Sequence, residues 1–315
     1  MRAVNWRVVV ILVALVLLAL VPPVMTAINQ PFYLELFARV MIFAIAALSL
    51  DLILGYGGMV SFGHAAYLGL GGYAVAILSH YDINNGFLHL GVAIVASAAV
   101  AFVIGAISLR TSGVYFIMIT LAFCQMLYFL GISIEEYGGD DGISTSRSDF
   151  GSLIDLGDST TLYYFILAFL ALFLYLLYRL VNSRFGMVIQ GINSNERRMK
   201  ALGFATFRYK LLAFVIAGVV CGVAGLLLAN LTQFVTPTIM RWERSGEILV
   251  MVLMGGMGSL FGPVLGATVY LLLEEYLAAL TEHWMIIFGP FLVILVLFAR
   301  RGIYGLIPDR SRGNG

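Results

Sequence analysis

Apolar residues run through this chain in long blocks that carry almost no polar position on any face. The stretch VVVILVALVLLALV, Val8 to Val21, is apolar all round, whereas a helix that borders water keeps a polar face. A helix needs about 20 such residues to cross about 30 Å of hydrocarbon, and fewer where it is short or broken. On that rule the pattern predicts spans near residues 8–24, 34–54, 62–79, 88–108, 113–133, 161–180, 208–231, 245–257, 261–280 and 284–299. The eighth is short and almost nothing joins the second to the third, so about ten transmembrane helices (eight to ten) are expected. The chain reads as an all-α polytopic membrane protein in which residues 1–315 form a single transmembrane domain. Composition agrees: 11% of residues are charged, against roughly 25% in soluble domains, which excludes a soluble globular protein.

Charge is spread unevenly between the spans. With the N-terminus inside, Arg2, Arg7, Arg110, the seven basic residues from Arg179 to Lys210, and Arg300, Arg301, Arg310 and Arg312 fall on the cytoplasmic side, leaving Arg39, Arg147, Arg241 and Arg244 for the other. Fourteen against four satisfies the positive-inside bias and places the N- and C-termini in the cytoplasm. The opposite face includes residues 135–160, where Glu135, Glu136, Asp140, Asp141, Asp149, Asp155 and Asp158 stand against Arg147. This segment lacks the D-x-D-x-DG spacing of a calcium loop, so a solvated acidic loop is expected there and no metal site. Arg2 and Arg7 before an apolar run, with PPVMTA after it, have the outline of a secretory signal. A chain embedded throughout needs no cleaved leader, and an uncleaved first helix is expected.

Two glycine-dense stretches interrupt the apolar pattern, GYGGMVSFGHAAYLGLGGY (Gly55 to Tyr73) and MGGMGSLFGPVLGATVY (Met254 to Tyr270). Irregular backbone at membrane depth survives only beside protein or a water-lined cavity, so half-helices meeting inside the protein are expected. Ser61, Phe62, Gly63 and His64 then lie near a translocation pathway. Gly218 and Gly222, four apart, read as a close-packing face. Asp51, inside the second span, must face the bundle, sit near an interface or be protonated, because an ionised Asp at a helix centre costs about 2.5–3.5 kcal/mol. Gln125 and Asn230 read as interhelical hydrogen-bonding groups, and Cys124 and Cys221 as reduced, buried thiols. No HExxH or GxSxG pattern occurs, and Lys200 and Lys210, the only lysines, follow Met199 and Tyr209 where a P-loop needs glycine. The chain reads as a protein without catalytic residues, metal or bound cofactor.

The segment RFGMVIQGINSNERRMKALGFATFRYK, Arg184 to Lys210, gathers six of the 18 basic residues. Asn193 followed by Glu196 has capping-box spacing and Gly203 fits a helix stop. Together they predict a helix from Ser194 to Leu202 in a cytoplasmic loop spanning 182–207. So short a helix needs outside support. Met199 and Leu202 share one face, and Arg197, Arg198 and Lys200 supply a polar one. Anionic lipid attracts such residues, but two caps and an apolar pair favour a docking helix for a cytoplasmic protein.

NERRMKALGFATFRYKLLAF resembles the coupling segment of the branched-chain amino acid ABC permeases of the LivM type. LILGYGGMVSFGHAAYLGLGGY, GGDDGIS, VMVLMGGMGSLFGPVLGA and RRGIYGL are similar to that family's other landmarks, in the family's order, from about Leu34 to Leu306. The resemblance implies a type II ABC importer permease fold in the bacterial inner membrane, moving branched-chain amino acids by alternating access. It implies a homologous second permease subunit in a heterodimer and a periplasmic substrate-binding protein. Two cytoplasmic P-loop ATPase subunits, holding ATP and Mg, would dock on Asn195, Glu196, Arg197, Arg198, Met199, Lys200, Leu202 and Gly203. Membrane lipid surrounds such an assembly, and nucleic acid has no part in it. Arg197 and Arg198 stand where related segments often carry small residues, and Asp51 where some relatives carry Asn. Two other readings stay open: an importer of urea, short amides or other small carboxylates, and an ion-coupled secondary transporter using Asp51.

Overall fold

The computed structural model describes residues 6–28, 30–151, 155–281, 283–298, 302 and 303. Each of the ten apolar stretches is a helix: α1 (Trp6–Ala27), α2 (Pro31–Asp51), α3 (His64–His80), α4 (Gly86–Ser108), α5 (Val114–Ser133), α6 (Ser159–Val181), α8 (Thr206–Thr232), α9 (Trp242–Gly255), α10 (Gly262–Leu280) and α11 (Trp284–Phe298). Between α6 and α8 lies α7 (Arg184–Ala201), and α2 continues into a π-helical turn, Leu52–Tyr56. Among the described residues, six helices are long and apolar enough to cross a membrane: α2 with its π-turn, α4, α5, α6, α8 and α10. The chain is a mostly helical, multi-pass membrane protein. Arg2, Arg300, Arg301, Arg310 and Arg312, which enter the expected orientation, lie outside the described residues.

α8 is the central post, against which α3 and α4 both pack while also meeting each other. Its glycines decide how close they come. A Cβ on Gly71 of α3 would overlap the Gly222 carbonyl, and one on Gly225 would overlap the Leu68 carbonyl. Toward α4, Gly222 receives Ser97 and Gly218 receives Ala101. Gly218 and Gly222 thus pack two helices against a third, as their spacing predicts, because small residues let backbones approach and gain dispersion contact.

α1 is held to α6 by a different device. Pro22 and Pro23 lie inside α1 and lack the N–H groups that would pair with the carbonyls of Leu18 and Ala19. Tyr163 Oη donates to the Leu18 carbonyl at 2.8 Å and Tyr164 Oη to the Ala19 carbonyl at 3.2 Å. Both freed acceptors are satisfied from the neighbouring helix, as an apolar surrounding demands.

α3 and α9, with 17 and 14 residues, are too short for about 30 Å of hydrocarbon. They are half-helices whose N-terminal ends meet inside the bundle. The Ala65 N–H at the start of α3 donates to Ser245 Oγ on the first turn of α9 at 2.9 Å. Cys124, midway along α5, donates from Sγ to the Met240 carbonyl just before α9 at 3.0 Å. This places Arg241 and Arg244 at the mid-height of α5, not in the outer loop that the hydropathy pattern assigns them. A helix start needs no long apolar run, so the true start of α9 precedes the predicted one.

At the end of the bundle away from α7, two short strands pair antiparallel, β1 (Ile143–Ser144) and β2 (Phe234–Val235), with Ile143 opposite Val235. The acidic segment 135–160 is not simply solvated. Thr145, Ser148, Phe150 and Leu156 are buried, and the Ser148 N–H donates to Asn230 Oδ1 at 2.7 Å. His89 bridges Ser148 Oγ and the Ile83 carbonyl, both at 2.7 Å. Asn230 therefore ties down this loop, where an interhelical bond was expected. Burying four side chains outweighs the pull of the surrounding carboxylates toward water.

Gly71→Ala is expected to destabilise the bundle by about 2 kcal/mol through overpacking against the α8 backbone. Gly91→Ala on α4, where a Cβ meets no described atom within 4 Å, is expected to be neutral. Thermal unfolding in detergent, read by the elution of folded protein, compares the two.

Candidate functional site

α7 begins at Ser183, whose Oγ accepts from the Gly186 N–H at 3.4 Å, ten residues before the expected start. Its backbone breaks at Asn195 (φ −160°, ψ 96°). Asn195 caps the second piece: its Oδ1 accepts from the Arg198 N–H at 3.0 Å. The cap therefore stands two residues after Asn193, and the expected Asn193–Glu196 capping box does not form. The Asn193 amide instead donates to the Gly55 carbonyl at 3.4 Å, and Gly58 (φ +67°) leaves room for it. The second piece, Glu196 to Ala201, ends as the sequence predicts, on Gly203 (φ +88°). The Phe204 N–H donates to the Met199 carbonyl at 3.1 Å and the Gly203 N–H to the Lys200 carbonyl at 3.0 Å, the paired bonds of a Schellman stop.

Glu196 fastens this short helix to the bundle. Its carboxylate pairs with Lys210 on the second turn of α8 and with Lys200 at 2.9 Å, and accepts from Thr206 Oγ1 at 3.3 Å. Burial works to raise its pKa, but hydrogen bonds from Lys210 and Lys200 and their charges outweigh it and hold the carboxyl at about 2. Met199 turns inward against Gly191, while Leu202 is 66% exposed, so the two do not share a face. Arg197, Arg198, Lys200, Leu202 and Gly203 are exposed together with Phe204 and Phe207. The result is a basic surface with an apolar rim. Between it and the Gly57–Gly58 turn lies a cavity of about 330 Å³, lined in part by Ser112, Asn195, Glu196 and Lys210.

From Gly58 the chain turns back into the bundle. The Phe62 N–H donates to Thr120 Oγ1 at 3.2 Å, the Gly63 N–H to Ser61 Oγ at 3.2 Å, and His64 Nε2 lies 2.8 Å from Ser49 Oγ. Ser61, Gly63 and His64 are buried and Phe62 is half-buried. The structure therefore gathers these four residues at the helix break, but within the subunit's own packing. Asp51 sits apart from them. Its Oδ1 accepts from the Gly258 N–H at 2.8 Å, and a Cβ on Gly55 would overlap both groups. Asp51 thus joins the two glycine-dense stretches.

Sequence reasoning missed the charged start of α9. RWERSGE, Arg241 to Glu247, holds four charged residues in seven, and Arg244 Nη1 donates to Glu247 Oε2 at 2.5 Å. The signal was the density of charge directly ahead of an apolar run.

Residues 32–297 match the family model described as "Branched-chain amino acid transport system / permease component". The high-affinity branched-chain amino acid transport system permease protein LivM of Escherichia coli (strain K12) is 28% identical, over 96% of this chain and 77% of its own length. The probable branched-chain amino acid transport permease protein LivM of Methanocaldococcus jannaschii is 25% identical, over 85% of this chain and 91% of its own. The chain is also 23% identical to the permease protein LivH of Escherichia coli (strain K12), over 84% of this chain and 91% of LivH. No solved structure matches it. The family match runs from the start of α2 to the end of α11 and takes in both half-helices and the kinked α7, so the chain belongs to the family of branched-chain amino acid transport system permease components.

Proposed function

We propose that this chain is one of two permease subunits of an ATP-driven importer of branched-chain amino acids in a bacterial inner membrane. The observation that carries the proposal is the second piece of α7: a six-residue helix capped at both ends, clamped to α8 by Glu196 and presenting exposed Arg197, Arg198, Leu202 and Phe204. A helix this short is unstable by itself, and Arg197, Arg198 and Leu202 stay exposed on it while Phe204 meets Tyr209 edge-on. Both features suit a pair of cytoplasmic P-loop ATPases, which would hold ATP and Mg. On this reading α7 and both termini face the cytoplasm, the ten apolar helices are the membrane segments, and the β1–β2 end receives a periplasmic substrate-binding protein. Similarity to both LivM and LivH supports a homologous second permease in a heterodimer.

The coupling route follows hydrogen bonds. A motor that moves Glu196 to Ala201 pulls on α8 through Lys210 and on the Gly55–Gly58 turn through Asn193. That turn leads into Ser61–His64, where α3 starts against α9. Displacement at α7 thereby tilts the half-helices and opens one side of the membrane at a time, which is alternating access.

An ion-coupled carrier would need Asp51 to exchange an ion. Its carboxylate already receives the Gly258 N–H, and an amide oxygen accepts that bond equally well. Asp51→Asn is therefore expected to leave ATP-driven uptake within about twofold of wild type; abolished uptake would return the ion-coupled reading. Leu202→Asp is expected to lower co-purification of the ATPases at least tenfold while the second permease remains, and unchanged recovery of the ATPases would sink the docking role of α7. The Glu196 clamp also has a defined pH window. A carboxyl held at about 2 against an ordinary 4.5 contributes fully above 4.5 and loses its contribution as pH falls to about 2. Glu196→Gln is thus expected to reduce uptake per ATP hydrolysed several-fold at every pH from 5.5 to 8, with no change in the shape of the pH profile. Uptake by proteoliposomes with parallel ATP hydrolysis measures it.

A further inference from the structure

One concentration of charge within the apolar bundle is used neither by α7 nor by the helix break. α9 opens with Arg241, Trp242, Glu243, Arg244 and, a turn later, Glu247. Arg39 of α2 and Glu274 of α10 flank it, and the charges of Arg39, Glu247, Arg244 and Glu275 all act on Glu274. About a third of the Arg244 and Glu247 side chains is exposed, 34% and 29%. Glu274 Oε2 is enclosed and has no hydrogen-bond donor among the described residues. The Met240–Cys124 bond fixes this group at the mid-height of α5. Hydrocarbon does not cover ionised groups with such exposure; they face a bundle interior or a water-filled cavity.

We propose that Arg39, Arg244, Glu247 and Glu274 form a station for a zwitterionic α-amino acid on the translocation route, an inference that rests on the importer reading. Two positive and two negative groups match a ligand that carries one charge of each sign, and Glu275, whose charge also acts on Glu274, adds to the side that takes the ammonium. Glu247 and Glu274 take the ammonium, and Glu274 has a free acceptor for it. Arg244 and Arg39 take the carboxylate, assisted by the N-terminal ends of α3 and α9, which meet at this level and favour negative charge. Trp242, 40% exposed beside them, offers an apolar surface for an aliphatic side chain. When the station is empty, Arg244 and Glu247 satisfy each other. A passing zwitterion exchanges that pair for two similar ones, so it binds weakly enough to leave.

The test is L-leucine uptake by the full complex in proteoliposomes, comprising this chain, the second permease, the ATPases and the binding protein. Glu247→Gln and Arg244→Gln are each expected to lower the maximal rate at least tenfold. The ATP hydrolysis stimulated by binding protein and the recovery of the second permease are expected to persist, and the exchange Arg244→Glu with Glu247→Arg restores part of the rate. Gly246→Cys reports water access without touching the charges, since a Cβ there meets nothing nearer than Phe62 Cε1 at 3.8 Å. A water-soluble thiol reagent is expected to modify it in the assembled complex, and leucine to slow the reaction. Wild-type rates in the single variants overturn the station. So does loss of the second permease together with uptake, which makes these residues a subunit interface, and so does a Gly246→Cys unreactive in every nucleotide state. A wild-type complex without ATP-driven leucine uptake overturns the importer reading, and the station with it.

Discussion

Inside hydrocarbon a backbone N–H or C=O that leaves its helix has no water to turn to, and every irregularity in this bundle is built around that constraint. Pro22 and Pro23 free two carbonyls of α1, and two tyrosines of α6 take them. The start of α3 frees the Phe62 and Ala65 N–H groups, which Thr120 and Ser245 accept. The approach to α9 frees the Met240 carbonyl, and Cys124 donates to it. The loop after α9 frees the Gly258 N–H, and Asp51 receives it. Each break is therefore closed by a side chain from a different helix. The places where the chain is least regular are also where separate helices are joined.

This arrangement makes a break a coupler and not a loose hinge. The hydroxyl and thiol partners reorient with little cost when helices tilt, and a lost bond is replaced only within the protein. Thr120 of α5 and Ser245 of α9 thereby tie the segment after Gly58 to two other helices, and Asp51 of α2 holds the loop ahead of α10. Glycine sets the stiffness of the remainder. Where Gly71 meets the Gly222 carbonyl and Gly225 meets the Leu68 carbonyl, α3 and α8 lie backbone on backbone, with no side chain at those points to deform.

The apolar helices were legible because hydropathy is a property of each residue in place: the predicted bounds of α8 (208–231) and α10 (261–280) fall within two residues of the observed ones. What the sequence misassigned depends on contacts it does not display. Asn193 and Asn195 are both acceptable caps, and the choice falls on Asn195 because the Gly55 carbonyl engages Asn193. Met199 and Leu202 are three apart, yet Leu202 is the cap residue beyond the helix proper, so helical periodicity no longer governs its direction. Arg241 and Arg244 look like a loop because charge usually stays out of membranes. The structure keeps them at depth by beginning a half-helix there. Ser61, Gly63 and His64 stand out by their glycine-rich setting, which marks a break in the chain without telling which of its faces a ligand reaches.

The partition of polar groups separates two jobs. Hydroxyls, thiols and imidazoles serve most of the interior joints, where an unpaired charge would be most costly, and the one carboxyl among those described, Asp51, is paired with the Gly258 N–H. The remaining charge lies mainly on the flank formed by α2, α9 and α10, along the acidic segment 135–160 and at the end carrying α7. A lipid-facing surface could hold none of it. Phe102, Met118 and Phe129, exposed on α4 and α5, mark a side that acyl chains can cover. The bundle thus has an apolar flank, a charged flank, an acidic end and a basic end, and the charged flank is a part of its wall that hydrocarbon cannot cover.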